Sequence, residues 1–181
     1  MTFEKNENLK VYLPSQQIQS LNRALAQKIS ADYSRQKSGS ELLIVVTLKG
    51  ALFFASDLLR EIDLPLQIDF VRVASYGGKT KSSGTVRLLK DIESPPEGRD
   101  ILVLDEIVDS GHTLSFLIQR FRSGSPKSLK VCTLLNKPSR REVEVPIDYC
   151  GMEIDDKFLV GYGLDFNEKY RNLPDIYYLE E

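Results

Sequence analysis

Three acids, Asp105, Glu106 and Asp109, stand within one short stretch, and a small hydroxyl-bearing run, Ser110-Gly111-His112-Thr113, follows them. An apolar segment, Ile101–Leu104, leads in, and His112–Phe121 has the makeup of a helix. A turn of this kind at a helix start presents unpaired backbone N–H groups and the positive end of the helix dipole. Both favour a phosphate. Ser110 and Thr113 add hydroxyl donors. The same residues also describe an ordinary helix capped by Asp or Ser, and at this level both readings stand. A Walker-type nucleotide loop is disfavoured, since the chain has no G-x-x-x-x-G-K-[ST].

The elements that must position these residues follow from hydrophobic pattern. Ile18–Arg35 has helical spacing, with Ile18, Leu21, Leu25 and Ile29 on one face. Leu42–Leu48 reads as a buried strand, Ala51–Ile62 as a helix, and Gln67–Ser75 as a half-buried alternating strand. Tyr76–Thr85, YGGKTKSSGT, has the composition of a mobile loop, with Val86–Ile92 a returning strand. Ile101–Leu104 and Leu129–Leu135 are two further buried strands. Short strands are expected near Ile147–Tyr149 and Phe158–Gly161, followed by a polar tail. Apolar strands alternating with helices imply an α/β fold with a mostly parallel sheet flanked by helices, forming one domain over residues 1–181. Ligands of such sheets bind beyond the carboxyl ends of the strands. Three such ends therefore matter: Leu48-Lys49-Gly50, Asp105–Thr113 and Asn136-Lys137.

Composition narrows the partners. The 181 residues carry a net charge of −2, which gives no global basic field for nucleic acid. The two cysteines, Cys132 and Cys150, have no metal-ligand spacing, and a single histidine makes a His/Cys zinc site a poor expectation. Reduced thiols fit a cytoplasmic protein. The N-terminus lacks the apolar core of a signal peptide, and no apolar run is long enough to span a membrane.

Ile101–Leu114, ILVLDEIVDSGHTL, resembles the phosphoribosyl-pyrophosphate motif of type I phosphoribosyltransferases. Other segments are similar to the hypoxanthine–guanine branch of that family. They are Thr47-Leu48-Lys49-Gly50, Ser75-Tyr76 with Ser82-Ser83-Gly84, Asn136-Lys137-Pro138, the run Asp156–Asp165, and Lys169–Pro174. They occur in the family's order from about Leu42 to the end. One departure stands out: the family usually has Glu then Asp after the strand, whereas here Asp105 precedes Glu106.

The resemblance implies a type I phosphoribosyltransferase fold with a small hood built from the chain ends. It implies transfer of the phosphoribosyl group from phosphoribosyl pyrophosphate to a 6-oxopurine, with Mg²⁺ as cofactor. By the same resemblance, Asp105, Glu106, Asp109, Ser110, Gly111, His112 and Thr113 surround the ribose and 5′-phosphate, with Asp109 as general acid/base. Leu48, Lys49, Gly50 and Arg171 meet the pyrophosphate, and the Leu48–Lys49 peptide bond is expected cis. Lys137, Phe158, Leu159 and Asp165 meet the base, Ser75 and Tyr76 belong to a lid, and Asp165 with Asp105 and Glu106 stands near the metal. His112, at the variable loop position, is expected to contribute its backbone N–H rather than its ring. The resemblance further implies a homodimer or homotetramer. Two other readings compete. A phosphoribosyltransferase-like regulator that binds nucleic acid is disfavoured by the charge and by the retained Asp109 and Lys137. An enzyme for another base, such as xanthine or a pyrimidine, is separable by assay.

Overall fold

The computed structural model describes residues 9–35, 41–76 and 85–179. Its centre is a six-stranded sheet. β2 (Leu42–Leu48) lies between β3 (Leu66–Tyr76) and β5 (Asp100–Val108), and β6 (Ser128–Asn136) and β7 (Tyr149–Glu153) continue beyond β5. All these pairings are parallel. β4 (Thr85–Lys90) folds back antiparallel on β3 and closes that edge.

Alternate residues of the central strands feed two cores. Ile44, Val46, Leu102 and Leu104 pack with α1 (Ser15–Ser34) and α2 (Ala51–Glu61). Leu43, Val45, Ile101 and Val103 pack with α3 (His112–Arg122). Each core has a fully buried phenylalanine at its helix side, Phe54 in the first and Phe121 in the second. Strands buried on both faces read as continuous apolar runs, which is why β2, β5 and β6 were recognisable.

Differences from the sequence-based expectations have local causes. β5 does not stop at Leu104 but runs on through Asp105 and Glu106 to Val108, because Asp105, Ile107 and Val108 stay paired with Thr133, Leu135 and Asn136 of β6. β7 begins at Tyr149, where the sequence suggested that a strand ended. Ile147 instead packs against the α3 core. α1 starts one turn earlier than its apolar face, since the Asp175 carboxylate accepts the Ser15 N–H at 2.6 Å from 160 residues away. The supposed polar tail contains β9 (Ile176–Leu179), which pairs with both β1 (Leu9–Leu13) and β8 (Leu159–Val160). This small sheet is the hood of chain ends that the family resemblance implied. Among the described residues, no helix is long and apolar enough to cross a membrane.

Candidate active site

β2, β5 and β6 deliver their carboxyl ends to one side of the sheet, and the sequence-chosen strand ends gather there. A cleft of about 520 Å³ is lined by Thr47–Gly50 from the β2 end, Asp105–Gly111 and Thr113 from the β5 end, and Asp165, Glu168 and Arg171 from the hood. Arg72, Val73 and Ala74 of β3 and Leu89 of β4 form a further wall that the sequence did not single out.

The turn into α3 is not closed by a side-chain cap. The N-cap of α3 is Gly111, at φ 90°, and it makes no side-chain cap bond. Asp109 and Ser110 are therefore not there to cap a helix. Both line the cleft.

Asp105 and Glu106 sit at its floor. The Thr47 hydroxyl lies 2.5 Å from Asp105 Oδ1 and 2.9 Å from the Leu104 carbonyl oxygen. Burial pushes the Asp105 carboxyl up to about 6, with hydrogen bonds from Thr47 and Glu106 drawing it back. Burial, reinforced by the neighbouring Asp105 charge and opposed by Arg171, raises Glu106 well above the ordinary carboxyl range. Two adjacent carboxyls resist double ionisation. A cation placed against them relieves that resistance.

The cationic side is built from both ends of the chain. The Leu48–Lys49 peptide bond is cis, as expected. Lys49 Nζ lies 2.9 Å from Glu168 Oε2. Arg171 Nη1 donates to the Gly163 carbonyl at 2.7 Å, and Nη2 reaches Asp165 Oδ1 at 2.7 Å and Glu168 Oε2 at 3.3 Å. Hydrogen bonds from Lys49 and Arg171 hold the Glu168 carboxyl below its ordinary value. Glu168 thus places an anion between the two cations that sequence reasoning assigned to pyrophosphate. Sequence reasoning missed Glu168 although it lies between Asp165 and Arg171 of the C-terminal signature.

Of the residues that the resemblance assigns to the base, Asp165 lines the cleft, whereas Lys137, Phe158 and Leu159 do not. Lys137 is buried, 7% exposed, and Nζ donates to the Lys157 carbonyl at 2.6 Å, with Asp156 at 3.9 Å. Its backbone N–H donates to the Val108 carbonyl at 2.9 Å, which ties it to the end of β5. Phe158 is exposed and meets Phe166 edge to face at 5.7 Å. Leu159 is buried at the start of β8. The His112 ring is turned to Glu142, Nε2 to Oε2 at 2.8 Å, and does not line the cleft. Ser75 and Tyr76 end β3, so Tyr76 belongs to the strand rather than to the loop. The rest of the expected lid, residues 77–84, lies outside the described residues.

Among the described residues no three acids form a ready-made metal cage. The hard oxygens of the cleft are the Asp105 and Glu106 carboxyls and the Thr47 hydroxyl at the floor, with Asp165 on the hood side of the lining. Such a set suits Mg²⁺, which habitually takes one or two carboxylates together with phosphate oxygens. Asp165 is engaged by Arg171 and by the Glu168 N–H at 2.8 Å.

A parallel-sheet cleft with an uncapped helix N-terminus, a carboxyl floor and a cationic rim is chemically suited to a phosphorylated sugar. The model of the phosphoribosyl transferase domain matches residues 9–167. A hypoxanthine-guanine phosphoribosyltransferase of Bacillus subtilis is 44% identical over 172 residues, 95% of this chain and 93% of the relative. One from Mycobacterium avium is 46% identical over 168 residues, 92% of this chain and 83% of the relative. The crystal structure of a Staphylococcus aureus hypoxanthine phosphoribosyltransferase superposes with a TM-score of 0.91 at 40% identity, covering 99% of this chain and 96% of that one. The chain belongs to the phosphoribosyl transferase family, in its hypoxanthine-guanine branch.

Proposed function

We infer that the chain is a purine salvage enzyme. It transfers the phosphoribosyl group of phosphoribosyl pyrophosphate to hypoxanthine or guanine, giving IMP or GMP and pyrophosphate. The observation that carries the choice of base is Lys137. A buried ammonium has three donors and no acceptor. One donor goes to the Lys157 carbonyl, which leaves others for the 6-oxo oxygen of a purine. A 6-amino group offers them nothing.

The remaining roles follow from chemistry and placement. Bond breaking at the ribose C1 develops positive charge on the sugar and negative charge on the departing pyrophosphate. Lys49 and Arg171 receive the pyrophosphate and release Glu168. Backbone N–H groups of Ser110–Thr113, with the Ser110 and Thr113 hydroxyls, seat the 5′-phosphate. Asp105 and Glu106 face the ribose hydroxyls. Asp109 exchanges a proton with the imidazole nitrogen of the base. Phe158 stacks on the base, and the backbone of Leu159 and Asp165 reads its 2-position edge. Asp105, Glu106 and Asp165 would hold Mg²⁺, which when bound neutralises charge on the leaving group. The protein assembles as a dimer or tetramer, a reading supported by a second groove of about 650 Å³ beside Lys49, where Leu52 is exposed. Light scattering tests that. Free Cys132 and Cys150 suit the cytoplasm.

Pyrophosphate release measured with hypoxanthine, guanine, xanthine, adenine and uracil tests the base assignment. A site built around a donor to an oxo group is expected to reject adenine by about 10⁴ or more. Comparable turnover of adenine and hypoxanthine would refute it.

A further inference from the structure

Beyond the end of β6, Pro138–Arg140 makes a short 3-10 turn, and Arg140–Val143 then crosses behind the phosphate turn. The Ser110 carbonyl accepts from the Glu142 N–H and the Val143 N–H, each at 3.0 Å. Gly111 leaves no room between the two segments. A Cβ there would meet the Val143 carbonyl oxygen and stand 3.2 Å from Arg141 Cδ. Arg141 is half-buried at the centre of this crossing. Its Nη1 donates to the Asp109 backbone carbonyl at 2.8 Å, and its Nη2 donates to the side-chain oxygen of Asn136.

We propose that Arg141 is a positioning residue for the transfer reaction: its guanidinium ties the Asp109 turn to the Asn136-Lys137 strand end. This rests on the reading of Asp109 as acid/base and Lys137 as base reader. The tie matters because those two side chains must meet the same purine from different strands. Asp109 follows β5 and Lys137 follows β6. The ladder pairs Val108 with Asn136, and its last bond runs from the Lys137 N–H to the Val108 carbonyl, so it holds the Lys137 backbone but stops short of Asp109. Arg141 spans from the Asn136 side chain, at the last paired position of β6, to the Asp109 carbonyl, one residue beyond the pairing of β5. A planar fork suits the task, since two of its nitrogens reach two acceptors at once. A lysine has one nitrogen to offer. Arg141 is not itself part of the cleft lining and reaches it from behind, through the Asp109 carbonyl, so its effect is predicted to fall on turnover rather than on pyrophosphate affinity.

The test uses the whole protein with Arg141→Ala, Arg141→Lys, Asp109→Asn and the Asp109→Asn/Arg141→Ala double variant. Turnover, pyrophosphate affinity and thermal midpoint are measured on each. Displacing a catalytic group by about 1 Å costs roughly 10²-fold. Arg141→Ala is therefore expected to slow turnover about 10- to 100-fold, with pyrophosphate affinity held within about threefold and partial recovery in low guanidinium. Arg141→Lys is expected to be about as slow, and it carries the test should the alanine variant not fold. The double variant is expected to be no slower than Asp109→Asn by more than about threefold, because residues acting as a unit are non-additive. Normal turnover in both Arg141 variants, or a double variant slowed by the product of the two single effects, overturns the proposal. An equal loss of pyrophosphate affinity in Arg141→Ala also overturns it, because that is a general structural defect. Asp109→Asn at wild-type turnover removes the acid/base reading itself, and the proposal with it. That failure is distinct from a slow Asp109→Asn beside a normal Arg141→Ala.

Discussion

Gly163→Ala perturbs the point where the hood touches the pyrophosphate side of the cleft. Gly163 lies at φ 98°, a conformation that costs an L-residue about 1–2 kcal/mol. A Cβ there would fall on the Gly50 carbonyl oxygen and stand 3.0 Å from the carbonyl carbon. Ordinary carbon contacts begin near about 3.5 Å, so one of the two backbones must move by about 0.5–1 Å. Overpacking of that kind costs about 1–3 kcal/mol. The sum is about 2–5 kcal/mol, or a fall in thermal midpoint of about 4–20 °C for a chain of this size. Gly98→Ala is the control: its φ is 70°, and nothing stands within 4 Å of the added carbon. It should show the conformational cost alone, about 1–2 kcal/mol. Gly163 also carries the carbonyl that orients Arg171, at 2.7 Å, and its N–H donates to the Arg171 carbonyl at 2.9 Å. The shift therefore reaches Lys49-Gly50 and Arg171 together. Calorimetric pyrophosphate affinity is expected to fall about tenfold or more in Gly163→Ala and to hold in Gly98→Ala. Equal midpoints and equal affinities in the two variants would refute the steric argument.

Three further expectations follow from other parts of the molecule. Phe121→Ala empties the α3 core and should cost about 3–5 kcal/mol with little change in KM of the remaining folded enzyme, as read by denaturant titration and kinetics. Asp69 is buried, which raises its carboxyl, but N–H groups of Ser94, Phe70 and Glu93 and the Lys90 ammonium outweigh that and lower it overall. A lowered carboxyl stabilises the fold above its unfolded value of 3.8, and the contribution is lost on acidification below that. Asp69→Asn should thus cost about 1–3 kcal/mol at pH 7, and its gap to wild type should narrow toward pH 3. A gap that widens on acidification contradicts the sign. Excess chelator should abolish turnover and Mg²⁺ or Mn²⁺ restore it. Full activity in chelator removes the metal from the account.

Much of this was legible from residue order. β2, β5 and β6 announce themselves because strands buried on both faces have no polar register. Their ends then point to Lys49, Asp105–Thr113 and Lys137 before any coordinate is known. What stayed hidden depends on distant partners. Leu9–Leu13 and Ile176–Leu179 are strands because they find each other across the whole chain. Ser15 starts a helix because of Asp175. Asp105 and Glu106 read as a strand end because charge usually stops a buried strand, yet the Thr47 hydroxyl gives Asp105 a polar partner and the ladder to β6 carries β5 on. Glu168 and Arg141 have no signature of their own: an exposed acid and a loop arginine become informative only through Lys49, Asn136 and the Asp109 carbonyl.

Asp109→Asn tests the centre of the account. Asparagine keeps the shape of the side chain and its place beside Arg140 Nε, 3.4 Å away, but cannot exchange a proton. Turnover is predicted to fall by about 10²–10⁴. Phosphoribosyl pyrophosphate affinity should hold, because the backbone N–H groups and Thr113 remain. The thermal midpoint should move little, because α3 is capped at Gly111 without a side-chain bond. Near-normal turnover, with a loss of stability of about 1 kcal/mol as for a missing cap, would contradict the assignment of Asp109 to the chemistry.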